Sequence, residues 1–239
     1  GNIDNRWKNN KNLRMGLYYD PEKQTHWKVL IKKMFGGINP YTGAAIAQDP
    51  AFAGMILVNE GNLEYLIRTG ANEELVQVFN DWLRTKYRNT EGLAQAWKSE
   101  LRKGESLEQG SVALPKLADN PSPRMADAQL FFLELERKSV TWMTEFVRSD
   151  LKYPGLLTAF NNWNSPAAHM ARQSLQWVDM HNYAQMPPTA FINKGSYLQQ
   201  NSILSDDLKY IRELAATRQW GKPFTVSEYG QIFWNKYRY

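Results

Sequence analysis

The sequence has no cysteine and only three histidines, His26, His169 and His181. Without cysteine there are no disulfides and no thiolate metal sites. The histidines share no HExxH-type spacing, which argues against a histidine-rich metal centre. No run of about 18 apolar residues occurs, so no membrane span is expected. Basic residues outnumber acidic ones by 29 to 24, yet they form no arginine-rich arm and no long block of one sign. A scattered surplus of that kind argues against nucleic acid as a partner. No signal peptide is visible and the chain opens Gly-Asn, so the sequence reads as a mature product or a fragment.

The bulk composition is that of an ordinary globular protein, 43% hydrophobic and 22% charged. A length of 239 residues suffices for one large domain or two small ones. One domain over residues 1–239 is expected. Nine Trp and twelve Tyr are more notable. Aromatic rings that exceed the needs of a core often line grooves, and sugar-binding clefts use them as platforms. For any single ring, a place in the core is the ordinary explanation.

Helical and extended segments alternate. Trp27, Leu30, Ile31, Met34 and Phe35 recur at helical spacing, and "FGG" then ends that helix. "INPYTG" is turn chemistry. Asn72 is placed to cap a helix with the stripe Leu75, Phe79, Trp82 and Leu83. A second helix carries Leu93, Trp97 and Leu101. Residues 104–124 read as a long surface loop. A long helix follows, near Ala126 to Val147, with Leu130, Leu133, Val140, Met143 and Val147 inward. A last helix over Asp206–Arg218 follows Ser205, with Leu208, Ile211 and Ala215 on one face.

Between the helices lie short apolar runs, predicted as strands near 53–59, 155–161, 177–182 and 223–228. Continuous apolar runs alternating with helices argue for an α/β fold with a parallel sheet. Each run finishes on polar groups. "MILVNE" ends at Asn59 and Glu60, "TAFNNW" at Asn161, Asn162 and Trp163, "VDMHNY" at His181, Asn182 and Tyr183, and "FTVSE" at Glu228. Side chains at i and i+2 share a strand face. Asp179, His181 and Tyr183 should therefore point one way, and Phe224, Val226 and Glu228 should share a face. In parallel α/β barrels the chemistry sits at the carboxyl ends of the strands.

Taken singly, each polar residue has an ordinary explanation in turn chemistry or solvation. Together they form a set: two carboxylates on separate strands, with amides, an imidazole and a phenol. That set suits cleavage of a glycosidic bond by paired carboxyl groups.

"NPYTGAAIAQDPAFAGMILVNEGNLEYL" resembles clan A glycoside hydrolases, particularly the cellulase-like family 5. "FNDWLRTKYRNTEGLAQAW", "VDMHNY" and "PFTVSEYG" are similar to later segments of the same family. The resemblance implies a (β/α)8 TIM barrel, here partial. Strands four to seven are recognisable, while one to three and eight are not found. On that basis another chain completing the barrel, a longer sequence or a reduced fold is expected. The resemblance further implies that Glu60 is the acid/base and Glu228 the nucleophile. Asn59 would bind the sugar 2-hydroxyl. His181 and Tyr183 would orient nucleophile and sugar, Trp163 would stack on a ring, and Asn162 joins the substrate-binding set.

The function expected from this is a retaining glycoside hydrolase acting on the β-glycosidic bonds of a polysaccharide or oligosaccharide, with no metal and no organic cofactor. An extracellular or periplasmic location follows from the resemblance alone. The alternatives are a non-catalytic carbohydrate-binding or scaffold protein on a reduced barrel, and a barrel enzyme of different, metal-dependent chemistry, against which the shortage of histidine counts.

Overall fold

The computed structural model describes residues 15–66, 71–115, 121–162, 164–185 and 209–231. The chain divides into two compact units, Gly1–Ala53 with Gly61–Gly155, and Gly54–Glu60 with Leu156–Tyr239. Each is built separately below.

The first unit is helical. Helix α1 (Pro21–Phe35) starts where the Asp20 side chain accepts from the N–H groups of Glu22 and Lys23, with Pro21 in the first turn. It buries Trp27 and Ile31, and Trp27 meets Trp142 edge-on at 5.2 Å. The predicted turn after it closes through the Gly43 N–H to the Asn39 carbonyl, 2.8 Å, with Gly43 in the left-handed region at φ 70.

After the single turn α2 (Leu63–Leu66) comes α3 (Glu73–Tyr87), which does begin at Asn72; the Asn72 side chain accepts from the Leu75 N–H. Leu75, Phe79 and Leu83 are fully buried. Replacing Asn72 by alanine is expected to cost about 1 kcal/mol, because it leaves a helix N–H without its acceptor. Thermal denaturation checks this, and an unchanged midpoint would count against the cap.

Helix α4 (Thr90–Trp97) is capped by Asn89. Leu101 was expected to extend its stripe but lies beyond it. Lys98 takes φ 52, which an α-helix cannot continue, and a short 3-10 turn (Lys98–Glu100) replaces it.

Helix α5 (Pro123–Ser149) begins earlier than its apolar pattern suggested, because Ser122 caps the Met125 N–H and Pro123 opens the first turn. Leu133, Val140, Met143 and Val147 are buried as expected, but Leu130 is 38% exposed. The inward positions beside it belong to Phe131 and Phe132, both essentially inaccessible.

Two buried acids tie these helices together. Asp127 of α5 accepts from Lys86 Nζ at 2.6 Å, Tyr87 Oη at 2.6 Å and Trp97 Nε1 at 2.8 Å. A buried carboxylate needs such partners. Glu105, in the loop before α5, pairs with Arg124 in its first turn; the side chains are 9% and 3% exposed. The Arg124 guanidinium also lies over the Trp97 ring, 4.8 Å from its centroid.

Among its described residues the second unit holds four strands: β1 (Gly54–Ile56), β2 (Leu156–Thr158), β3 (Val178–Gln185) and β4 (Phe224–Gln231). All four lie where the sequence predicted them, and they pair parallel, β1 with β2 and β3 with β4. Past the paired residues the ladder of the first pair runs on through Leu57 N–H to Thr158 O, 2.8 Å, and Phe160 N–H to Val58 O, 3.2 Å. The His181 N–H donates to Asn161 O at 2.5 Å, joining the two pairs.

Helices α6 (Pro166–Ala171) and α7 (Lys209–Ala216) accompany the strands. The predicted inward face of α7 is not the observed one. Ser205 and Leu208 lie outside the described residues, and Ile211 is 50% exposed, with Ala215 exposed too. Thr217, just past the helix, is the buried residue instead; its hydroxyl donates to Leu214 O at 2.7 Å, which makes that burial tolerable.

The architecture is thus mixed α and β with parallel strand pairs. Among the described residues the strands form no closed barrel, and no helix is long and apolar enough to cross a membrane.

Candidate active site

The carboxyl ends of all four strands of the second unit contribute to one cluster. Asn161, just past β2, organises it. Its side-chain oxygen accepts the Glu60 N–H at 2.9 Å, so its amide nitrogen faces the other way. That nitrogen lies 3.0 Å from Asp179 Oδ2, 2.7 Å from His181 Nε2 and 3.3 Å from Asn59 Oδ1. With the donor of Asn161 against it, Nε2 is the acceptor of the ring, and the proton sits on Nδ1. Nδ1 in turn lies 2.9 Å from Glu60 Oε1 and 3.4 Å from Glu228 Oε2. One imidazole edge therefore serves both carboxylates, while its side chain is only 2% exposed.

Glu60 has φ 48, the left-handed region that non-glycine residues rarely occupy. A regular strand would carry residue 60 onward in extended form. β1 has already ended at Ile56 and its ladder at Val58, so the left-handed step turns the chain beyond the strand, and the Asn161 side chain holds the Glu60 N–H. The two polar residues that end "MILVNE" are therefore held in place: Asn59 is exposed and contacts Asn161, and Glu60 reaches His181.

Asp179 is fully buried beneath the cluster. Its Oδ1 accepts from the Thr225 hydroxyl at 2.5 Å and the Ser227 N–H at 3.1 Å, and its Oδ2 from the Ser227 hydroxyl at 2.5 Å. With Asn161 that makes four donors, enough to hold a charge away from water.

Glu228 departs from the predicted alternation. Met180 pairs with Val226 and His181 with Glu228, so Ser227 is an extra residue in β4, a β-bulge. The bulge lets consecutive residues act on the same neighbours: Ser227 bonds Asp179, and Glu228 accepts from the Tyr183 hydroxyl and approaches His181. Glu228 therefore lies on the side of Asp179, His181 and Tyr183, rather than sharing a face with Phe224 and Val226.

Of the sequence-predicted residues, Glu60, Glu228, His181, Tyr183 and Asn59 thus lie in one cluster. Asn162 lines a separate cavity of about 310 Å³ with Asn164, Asn182 and Glu213, which His181 also borders. Trp163 lies outside the described residues. Asn161, Asp179 and Ser227 were missed as functional residues. Asp179 had a legible signal, an acid two residues before His181 in an otherwise apolar strand.

The atoms that Glu60, His181 and Glu228 offer all lie within 4.8 Å of one another. Two carboxylates at that spacing can act on one atom from two sides, and the same three groups could also ligate a divalent cation.

Neither a protein-family model nor a curated protein sequence matches the chain. Solved structures do. An exo-β-agarase aligns with TM-score 0.55 and 15% identity over 90% of this chain and 27% of its own. An agarase aligns with TM-score 0.50 and 18% identity over 70% of this chain and 24% of its own. A β-galactosidase from the psychrophilic Marinomonas ef1 gives TM-score 0.50 and 18% identity over 72% of this chain and 25% of its own. The chain has a glycoside hydrolase-like fold. It spans about a quarter of the length of each of these structures. At such identities the likeness is one of fold alone.

Proposed function

We propose that this chain carries the active site of a retaining glycoside hydrolase that cleaves the β-glycosidic bonds of a polysaccharide or oligosaccharide. The observation that carries the reading is the pair Glu60, just past β1, and Glu228, within β4, with oxygens within 4.8 Å. A retaining enzyme needs its carboxyl groups about 5–5.5 Å apart for direct attack, whereas an inverting one leaves roughly 6.5–9.5 Å for a water. The separation here supports direct attack.

In this scheme Glu60 protonates the leaving oxygen while Glu228 attacks the anomeric carbon, giving a glycosyl ester. Glu60 then takes a proton from the water that hydrolyses it. His181, donating from Nδ1, holds the Glu60 carboxyl, and Tyr183, donating to Glu228, holds the nucleophile's lone pairs in direction. Asn59 is placed to meet a sugar hydroxyl. On this reading the four parallel strands are strands four to seven of a (β/α)8 barrel of the cellulase-like clan. The fold likeness to two agarases and a β-galactosidase makes galactose-containing glycans the first substrates to try.

The test is turnover on a panel of β-glycans, agarose and β-galactosides included, with the anomer of the first product followed by time-resolved NMR. Retained configuration is expected. An inverted product would sink the double displacement, and binding of a glycan with no cleavage would leave a carbohydrate-binding protein instead.

Tyr183→Phe gives a finer check. It removes one hydrogen bond to a charged group, worth about 1.5–3 kcal/mol. A fall in kcat of roughly 10- to 100-fold is expected, with the fold retained because the ring remains. A kcat equal to that of the parent would remove Tyr183 from the mechanism.

A further inference from the structure

The chelating geometry of the same cluster has a consequence that paired acid catalysis does not use. We propose that Glu60, His181 and Glu228 form a binding site for a borderline transition-metal cation, Zn²⁺ or Cu²⁺, and that the bound ion shuts the site off. The binding stands on the geometry alone; the block on turnover rests on the glycosidase reading.

Zn²⁺ takes imidazole nitrogen and carboxylate oxygen at about 2.0–2.2 Å, in tetrahedral arrangement. Ligand atoms on such a sphere lie roughly 3.3–3.5 Å apart. His181 Nδ1 is 2.9 Å from Glu60 Oε1 and 3.4 Å from Glu228 Oε2, distances on either side of that value. The third separation is at most 4.8 Å. Glu60 and Glu228 are 30% and 41% exposed, so both can close that gap and water can fill the fourth position. Two carboxylates balance the charge of the ion.

The surroundings are also built for it. A ligating histidine needs its other nitrogen to donate to an oriented acceptor. Coordination at Nδ1 requires the ring proton to move to Nε2. Ser227 Oγ lies 3.1 Å from Nε2 and already donates its own hydrogen to Asp179 Oδ2 at 2.5 Å. It can therefore accept from Nε2 without losing its donor bond. Asn161, which donates to Nε2 in the other tautomer, keeps Asp179 and Asn59 as acceptors. With the proton on Nε2, the Asn161 amide must turn its hydrogens to Asp179 and Asn59, because two donors would otherwise face each other across 2.7 Å.

The imidazole selects the metal. Mg²⁺ and Ca²⁺ favour all-oxygen shells of about six or more ligands, which three side chains do not supply. An ion seated here ties up the lone pair of Glu228 that would attack and the oxygen of Glu60 that would carry the proton.

The experiment is titration of the chelator-treated, full-length chain with Zn²⁺ by calorimetry, beside turnover on the most active glycan found. One equivalent of Zn²⁺ is expected. Affinity should fall at least 100-fold in His181→Ala and in Glu228→Gln, and about 10-fold in Ser227→Ala, while His169→Ala keeps the parent value. Cu²⁺ bound in place of Zn²⁺ should show hyperfine coupling to a single imidazole nitrogen in its EPR spectrum. That signature and the partly exposed Glu228→Gln keep the test decisive even if His181→Ala fails to fold. No stoichiometric binding, or binding that survives both ligand variants, would overturn the site. Turnover should be full in chelator and lost as Zn²⁺ saturates; turnover indifferent to bound Zn²⁺ would overturn the block. Binding as described by a chain that cleaves no glycan in chelator would support the site and overturn the glycosidase reading alone.

Discussion

Glu228→Ala is expected to abolish glycan turnover, whereas Glu60→Ala should slow it by about 10²- to 10⁴-fold on natural substrates. The two carboxylates touch the same imidazole nitrogen, yet their tasks differ. Without Glu228 no covalent intermediate can form, and no neighbouring carboxylate replaces it: Glu60 is held by His181 as the acid, and Asp179 is buried with its oxygens occupied. Without Glu60 the leaving oxygen departs unprotonated. A sugar with an activated aryl leaving group needs no proton, so Glu60→Ala should cleave such a substrate nearly as fast in its first step. The kcat/KM values on a natural glycan and on an aryl glycoside, which report the first step alone, separate the two roles. Equal losses on both substrates in Glu60→Ala would deny it the acid's role, and measurable turnover in Glu228→Ala would deny Glu228 the nucleophile's.

Arg124→Ala should be the most damaging substitution away from the cluster. Removing one partner of a buried ion pair strands the other, at a cost of about 3–5 kcal/mol. For a chain of this length that is a fall in Tm on the order of 10 °C. Arg124 also leaves the face of Trp97, adding lost packing to lost charge. The loss should depend on pH. Burial pushes the Glu105 carboxyl up, but Arg124 and the N–H groups of Arg102 and Ala113 outweigh it and hold it below the usual carboxylate range. A group depressed in the folded state stabilises fully above its unfolded value, and the gain is lost as pH falls through the folded value. The parent should therefore lose this contribution only on acidification, and Arg124→Ala should lack it at neutral pH. Melting curves of both chains at neutral and acid pH should converge on the acid side. Parallel curves at all pH values would show that the pair carries no linked proton.

The sequence revealed the second unit better than the first, for a physical reason. Its strands are short apolar runs that finish on polar groups, a contrast that marks them off from the helices even though β4 buries none of its described residues. The helix ends were equally legible where a side chain does the capping, as at Asn72. What failed was the assumption of unbroken periodicity. Leu101 fell outside its helix because of one left-handed residue, and Leu130 lost its inward place to Phe131 and Phe132. Glu228 reached the side of His181 only through the bulge at Ser227, which no alternation rule contains. Glu60 and Glu228 could be named from the strand-end pattern and the family resemblance. Asn161 could not, since an amide after a strand is recognised as part of a network only once the strands lie side by side; Asp179 stood out as an acid in an apolar strand, but its partners did not.

The backbone at Glu60 bears on how descendants of this chain would diverge. A left-handed residue costs a non-glycine side chain on the order of 1 kcal/mol or more, and glycine is free of that cost. Glu60→Gly is thus the change that would raise folding stability while destroying the proposed acid. As long as cleavage is under selection, the fold is held away from its own preferred residue at this position. Once that selection lapses, mutational drift should run downhill toward glycine or asparagine there, sooner than at Glu228, whose strand geometry has no such bias. Among related sequences, the residue at position 60 would then record which lineages kept the chemistry and which kept only the architecture.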